Sequence, residues 1–204
     1  MKILITGFEP FGEDTANPSY EAVKKLPPVI DTCEIETIEL PVCFDSGSAK
    51  LLDLLDRNSY DAVICTGLAG SRTAITPEVI AVNLRHARIP DNAGYQPEWE
   101  KIVPAGEDGL FSTLPVRKMV EQLAEENLPA ALSFSAGTYV CNEVMYRLLA
   151  YLKENKKNIP AGFIHVPYAS ETVPGGSELF FMPLGQITRG LELCIRALID
   201  EMAQ

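Results

Sequence analysis

Apolar and polar positions follow each other in a changing rhythm along the chain, and the changes mark out strands and helices. KILIT (2–6) is a short apolar run closed by Gly7, the pattern of a strand buried on both faces. Asn17-Pro18 predicts a helix start, with Asn as cap and Pro in the first turn, and the helix runs on through SYEAVKKL (19–26). CEIETIELP (33–41) reads as a strand ended by Pro41. DSGSAKLLDLLDRN (45–58) has helical spacing at Leu51, Leu54 and Leu55. DAVICTG (61–67) is another buried strand, followed by the Gly-containing loop GLAGSRTAITPE (67–78), after which VIAVNL (79–84) resumes strand character. From Arg85 to Gly109 the pattern is irregular, with IPDNAGYQP at its centre, and a stretch of that length is usually a functional loop or a surface excursion. PVRKMVEQLAEEN (115–127) predicts a helix, AALSFS (130–135) a strand, and Cys141 to about Asn155 a helix. AGFIHVPY (161–168) is a strand, and LGQITRGLELCIRALIDEM (184–202) a closing helix.

Strands alternating with helices throughout predict an α/β fold. The expected form is a three-layer α/β/α sandwich around a mixed, mainly parallel twisted sheet. Neither an internal repeat nor a linker divides the sequence, so residues 1–204 are expected to form a single catalytic domain. In such sheets the active site lies beyond the carboxyl ends of the strands. That rule directs attention to the loops 7–17, 67–78, 135–140 and 166–183, each of which follows a predicted strand.

Composition narrows the function classes. With 47% hydrophobic and 22% charged residues, the chain has the balance of a soluble globular protein. A formal net charge of -11 argues against a surface that tracks phosphates, and so against nucleic acid as a partner. No apolar run reaches the roughly 20 residues a membrane span needs. The start MKILITGFEPFG reads as a strand entering the fold rather than a cleaved leader, which points to a cytoplasmic protein. Cys33, Cys43, Cys65, Cys141 and Cys194 are odd in number, scattered and without a C-x-x-C pair. That distribution suggests free thiols in a reducing compartment and gives no zinc or redox motif. His86 and His165 are the only histidines, so Cys–His chemistry has few ways to be assembled.

Three residues stand out against this frame. Cys141 opens a predicted helix after the SAGT turn. The unpaired N–H groups and positive end of the helix there favour a thiolate and could hold a developing oxyanion. The plainer reading is a small buried hydrophobe, which free cysteines usually are. His165 sits near the carboxyl end of its strand, just before Pro167. It is either a satisfied core residue or a base, and the consecutive placing of its strand after AALSFS makes a Cys–His approach plausible. Glu78 enters an apolar strand directly after Pro77. It is either a solvent-facing strand-entry residue or a carboxylate paired with the imidazole.

Across most of its length the chain also resembles a known family. GFEPFG, NPSYEAV, ITPEVIAVNL, ARIPDNAGYQP, PAALSFSAGTYVCN and GFIHVPY, in this order and spacing, are similar to the motifs of the pyroglutamyl peptidases (pyrrolidone-carboxylate peptidases). These are cytoplasmic cysteine peptidases that remove an N-terminal pyroglutamyl residue through an acyl-enzyme. The resemblance runs from residue 3 to about 170, and the last 30 or so residues add little to it. By motif it implies Glu78, Cys141 and His165 as the catalytic triad and places Arg88 near the oxyanion. Phe8, Phe11, Ile89, Tyr139 and Val140 would surround the flat lactam ring, with Leu68 in the Gly-rich loop beside them. The two phenylalanines read equally well as core. No metal or organic cofactor is implied. The expected partners are pyroglutamyl peptides and further copies of the chain, as a homotetramer.

Departures from the family pattern concern the pocket. Leu68 and Ser71 stand in GLAGSR where GQAGGR is commoner, Val42 where Thr often follows the Pro, and Tyr139 where Phe is usual. Two other classes compete on general grounds. A nucleoside phosphorylase could use the same kind of sheet, but Arg and Lys are sparse near the proposed loops. A non-catalytic binding protein is the other, which retention of all three candidate residues disfavours.

Overall fold

The computed structural model describes residues 1–172 and 179–204. In chain order the elements are β1 (Lys2–Phe8), α1 (Pro18–Val23), β2 (Val29–Ile30), β3 (Cys33–Leu40), α2 (Ser46–Arg57), β4 (Ala62–Leu68), β5 (Thr76–Pro77) and β6 (Ile80–Val82). They continue with β7 (Gly109–Phe111), α3 (Val116–Glu125), α4 (Val140–Glu154), β8 (Ala161–Val166), β9 (Tyr168–Ala169), β10 (Phe181–Met182) and α5 (Leu184–Met202). The central sheet has the order β2-β3-β1-β4-β8-β5. Its inner pairs β3/β1, β1/β4 and β4/β8 are parallel, and the outer strands β2 and β5 run antiparallel to their neighbours. The sheet is therefore mixed and mainly parallel, as expected.

Period-two alternation in the strands builds the two apolar layers. From β1, Ile3 and Ile5 face a cluster that includes Ala22 of α1, Leu123 of α3 and Leu191 of α5. Leu4 and Phe8 point the other way, into a cluster with Leu51 of α2 and Val144 and Leu148 of α4. Helices thus cover both faces, in three layers. Gly7 lets α1 lie directly on β1, since a Cβ there would come within 2.5 Å of the Tyr20 Cα.

Most element positions agree with the sequence reading, and three differ for identifiable reasons. The first helix stops at Val23 rather than Leu26. Lys25 and Leu26 instead make tighter bonds to Ala22 and Val23, winding the chain down ahead of Pro27. VIAVNL keeps strand form only at Ile80–Val82 and pairs with β7 in a separate small sheet. Beyond it, the Asn142 side chain takes the place of a neighbouring strand, bonding the Val82 N–H and the Val82 and Leu84 carbonyls.

AALSFS is not a strand. It forms only isolated bridges, Ile75 with Ala130 and Glu78 with Ser133. The ladder is broken at Pro77. Ala131 donates to the Ile75 carbonyl, Ser133 to that of Pro77 and Val79 to that of Ser133. The bond that would complete the parallel pattern needs an N–H that Pro77 lacks. In consequence this segment lies outside β5, and β5, not AALSFS, is the neighbour of the His165 strand.

Candidate active site

The carboxyl ends of β4 and β8 leave the sheet side by side, where Gly67 pairs with His165, and on the other side of β8 Thr76 pairs with His165. Glu78 follows β5 immediately. Its N–H donates to the Phe163 carbonyl of β8, which holds this segment beside the strand that carries His165. Glu78 is fully buried and its Oε1 lies 2.7 Å from His165 Nδ1. This bond occupies one ring nitrogen and leaves Nε2 for a proton-transfer partner.

Cys141 is the second residue of α4. Tyr139, the residue capping this helix, has extended backbone and provides no side-chain cap, so the N–H groups of the first turn are not claimed from that side. The Cys141 sulfur rests against Gly67: a Cβ on that glycine would lie 2.9 Å from Sγ and 2.8 Å from the Phe163 ring. The Phe163 ring in turn packs on the His165 ring at 4.7 Å between centroids. Gly67 is thus a shared neighbour, paired with His165 in the sheet and touching the Cys141 thiol. The three chain-distant candidates therefore converge at one sheet edge. Only Glu78 and His165 are joined by a hydrogen bond.

The electrostatics of the group correct one expectation. A helix N-terminus was expected to lower the Cys141 pKa. Instead burial, reinforced by the Glu78 charge, pushes the thiol up to about 12, and the opposing pull of Arg72 is smaller. Burial also lowers the His165 pKa, against the pull of Glu78. For Glu78 burial opposes ionisation, yet its bond to His165 and the charges around it keep its pKa below the ordinary value. The resting site is thus a carboxylate, a neutral imidazole and a neutral thiol.

In front of the sulfur lies a small cleft of about 40 Å³, lined by Phe8, Phe11, Asn17, Val42, Leu68, Tyr139, Val140 and Cys141. Five of the six pocket residues expected from the sequence, Phe8, Phe11, Leu68, Tyr139 and Val140, stand on its wall. Ile89 does not; it is half exposed on the loop that follows β6. That loop is nevertheless tied to the pocket rim, because the Tyr139 hydroxyl donates to the Pro90 carbonyl and Asn92 N–H to that of Val42. Asp91 shapes the loop by accepting from the N–H groups of Phe44, Ala93 and Tyr95. Arg88 is exposed and makes no side-chain hydrogen bond or ion pair among the described residues. Ser71 is also exposed.

Val42, noted in the sequence as a departure bearing on the pocket, lines the cleft, and so does Asn17, which was read only as a helix cap. It is one, accepting from the Ser19 N–H, and the same side chain donates to the Glu9 carbonyl. A capping motif in the loop after β1 was the signal that could have placed it near the site. Among the described residues no group of His, Cys, Asp and Glu is placed to hold a metal ion. No helix among them is long and apolar enough to cross a membrane. Of the loop 166–183, residues 173–178 lie outside the described residues.

The pyroglutamyl peptidase family model matches residues 1–201 of this sequence. The chain belongs to the pyroglutamyl peptidase family. Within that family it is 43% identical over 203 residues to pyrrolidone-carboxylate peptidase 1 of Caldanaerobacter subterraneus subsp. tengcongensis, covering 100% of both chains. A pyrrolidone-carboxylate peptidase of Streptococcus pyogenes is 45% identical over 200 residues, 98% of this chain and 93% of the relative. The fold agrees with pyroglutamyl peptidase I of Bacillus amyloliquefaciens at a TM-score of 0.94 and 39% identity, covering 98% and 97% of the two chains. It agrees equally, at 0.94 and 38%, with the pyrrolidone carboxyl peptidase of Thermococcus litoralis, over 99% and 94%. The pyroglutamyl peptidase fold thus accounts for the chain from end to end.

Proposed function

We propose that this chain is a cysteine exopeptidase that hydrolyses the amide bond after an N-terminal pyroglutamyl residue, with Cys141 as nucleophile, His165 as base and acid, and Glu78 as the group that orients the imidazole. The observation that carries the reading is the buried Glu78–His165 bond, set across Gly67 from the thiol at the floor of an apolar cleft.

The reaction starts from the neutral pair. Neutral His165 takes the Cys141 proton at Nε2 as the sulfur forms a bond to the pyroglutamyl carbonyl carbon, and the C–O π pair moves onto oxygen. N–H groups of the first turn of α4 receive that oxyanion, and Arg88 is assigned to the same side of the site. Collapse of the intermediate expels the amine, which takes the proton from His165, and leaves a thioester on Cys141. His165 then removes a proton from water as its oxygen attacks the thioester, and returns it to the departing sulfur. Pyroglutamate leaves with Cys141 restored. Glu78 stays ionised throughout, holding the imidazole and balancing its transient charge.

The polarity of the pocket fits the substrate class. At about 40 Å³ the cleft is far below the volume of ordinary ligand sites, so it excludes an extended peptide and its walls must part to admit even one ring. Its walls carry Phe, Val, Leu and Tyr side chains and no Arg or Lys, which favours an uncharged lactam over a phosphate. Leu68 brings the backbone of the Gly-rich loop to the wall, where its polar groups can meet the ring amide. The chain acts as a single catalytic domain in a reducing, cytoplasmic setting. All five of its cysteines are free thiols, consistent with that setting. It assembles as a homo-oligomer, a tetramer by resemblance to the family.

Release of a fluorophore from a pyroglutamyl amide under reducing conditions tests the activity. The wild-type chain is expected to cleave it and Cys141→Ala to be inactive; turnover by C141A would remove the nucleophile assignment. Arg88→Ala is expected to reduce kcat more than it changes KM if Arg88 stabilises the oxyanion.

A further inference from the structure

The loop between β4 and β5 carries a cation that this mechanism leaves unused. Arg72 has a side chain only 22% exposed, and its Nη1 lies 2.7 Å from Glu78 Oε1. That is the same oxygen that His165 Nδ1 meets at 2.7 Å. The guanidinium also donates to Thr76 Oγ1 and, through Nη2, to the Ser135 carbonyl at 2.9 Å. One side chain therefore ties together the loop after β4, the segment that delivers Glu78, and the turn that leads into Cys141.

We propose that Arg72 is a positioning residue of the peptidase reaction, clamping the Glu78 carboxylate against His165 and setting the pH range in which the thiol–imidazole pair works. The inference rests on the assignment of Glu78, Cys141 and His165 made above. A carboxylate with no exposure needs compensation, and His165 is neutral at rest, so Arg72 is the full positive charge in contact with it. Its second oxygen, Oε2, is buried without a hydrogen bond that satisfies distance and angle, although the Ser133 hydroxyl faces the group. Losing Arg72 would leave Glu78 less well compensated and freer to turn away from the imidazole.

The cation also acts on the other two protons. It disfavours an imidazolium at His165 and favours a thiolate at Cys141, so both groups release their protons at lower pH than they otherwise would. Other groups face them too. His165 sees Glu78 from beyond β5 as well as Arg72 from its loop. Cys141 sees Glu78, Arg72 and the Cys65 thiol of β4, and the Tyr139 phenol at its own helix start. Of these, Arg72 alone is cationic. A residue that merely tethers the loop would lower activity without moving either limb of a pH profile.

The test compares kcat/KM as a function of pH for wild type, Arg72→Gln, Arg72→Lys and Cys141→Ala on a pyroglutamyl amide. For R72Q we expect a loss of about tenfold to a hundredfold at neutral pH, the worth of charge-assisted bonds to a buried carboxylate. Both limbs should move to higher pH, and the alkylation rate of Cys141 should need more alkaline solution. R72K, which keeps the charge but not the fork, should lose activity while its limbs stay near the wild-type positions. If R72Q does not fold, Arg72→Met replaces it, keeping the apolar stem without the charge. Limbs of the neutral variant that superimpose on wild type would overturn the proposal. Turnover by C141A would instead overturn the underlying assignment, so the two failures are distinguishable.

Discussion

At the scale of single residues, the site is governed by competition between burial and charge. Cys141 sits at a helix start, where the dipole contributes at most about 2 kcal/mol toward the anion. Burial outweighs that, and the thiol is protonated at rest. In the proposed mechanism, activation then comes from proton transfer within the attack rather than from a standing thiolate. This places the demand on His165, which must be neutral to accept the proton. The ordinary histidine value is 6.5, burial lowers it and the Glu78 charge pulls it partly back. The acid limb of kcat/KM is therefore expected below pH 6.5. In Glu78→Gln the upward pull is lost, so the limb should move lower still. Turnover should fall by about 10²- to 10⁴-fold, because the amide no longer holds the imidazole in the required tautomer. A pH-rate series on both proteins checks the two statements together. An upward shift in E78Q would mean that Glu78 does not face the ionised imidazole during reaction.

At the scale of elements, α4 is held by the two residues that follow Cys141. Asn142 grips the backbone of β6, and the buried Glu143 receives Arg85 at 3.0 Å, Arg147 at 2.9 Å and the N–H of Asp45 at 3.0 Å. Arg85 also pairs with Asp45 at the start of α2, so the amino ends of α2 and α4 share one ionic network. Arg85→Ala leaves Glu143 buried with Arg147 as its remaining cation. We expect a loss of about 3 kcal/mol, toward the low end for breaking a buried pair, measured by urea unfolding. The elements themselves were largely legible in the sequence, because the periods of β1, β4, β8 and α5 are long and uninterrupted. AALSFS was misread because its apolar pattern is that of a strand, while the defect that prevents one lies about 50 residues away, in the missing N–H of Pro77. Glu78, Cys141 and His165 were visible as suspects, being polar or reactive groups at element ends. Arg72 was not, since an arginine in a Gly-rich loop looks like a solvated charge until the fold turns it onto Glu78. Asn17 was seen only in its capping role for the same kind of reason: its place on the cleft wall depends on β3 and α4, which are distant in the sequence.

At the scale of the whole molecule, the surface is acidic overall yet carries an apolar strip beside β10. Leu179, Phe180 and Phe181 are 41%, 37% and 47% exposed, whereas the next residue, Met182, is buried. Consecutive large apolar side chains at the surface make this strip a candidate association face. With the proposed homo-oligomer, Phe181→Asp is expected to shift the sedimentation profile toward monomer while leaving the far-UV spectrum unchanged; an unaltered assembly would place the interface elsewhere. A last consequence comes from what the cleft wall lacks. Its lining has no carboxylate to receive an ammonium group. A peptide beginning with glutamine would have to strip its positively charged end of water there with nothing in return, at a cost of several kcal/mol. Once the same side chain has closed onto its own nitrogen, that charge is gone and so is this cost. The chain would then read a chemical event in its substrate rather than a residue type: it would act on peptides that have cyclised and ignore their uncyclised precursors.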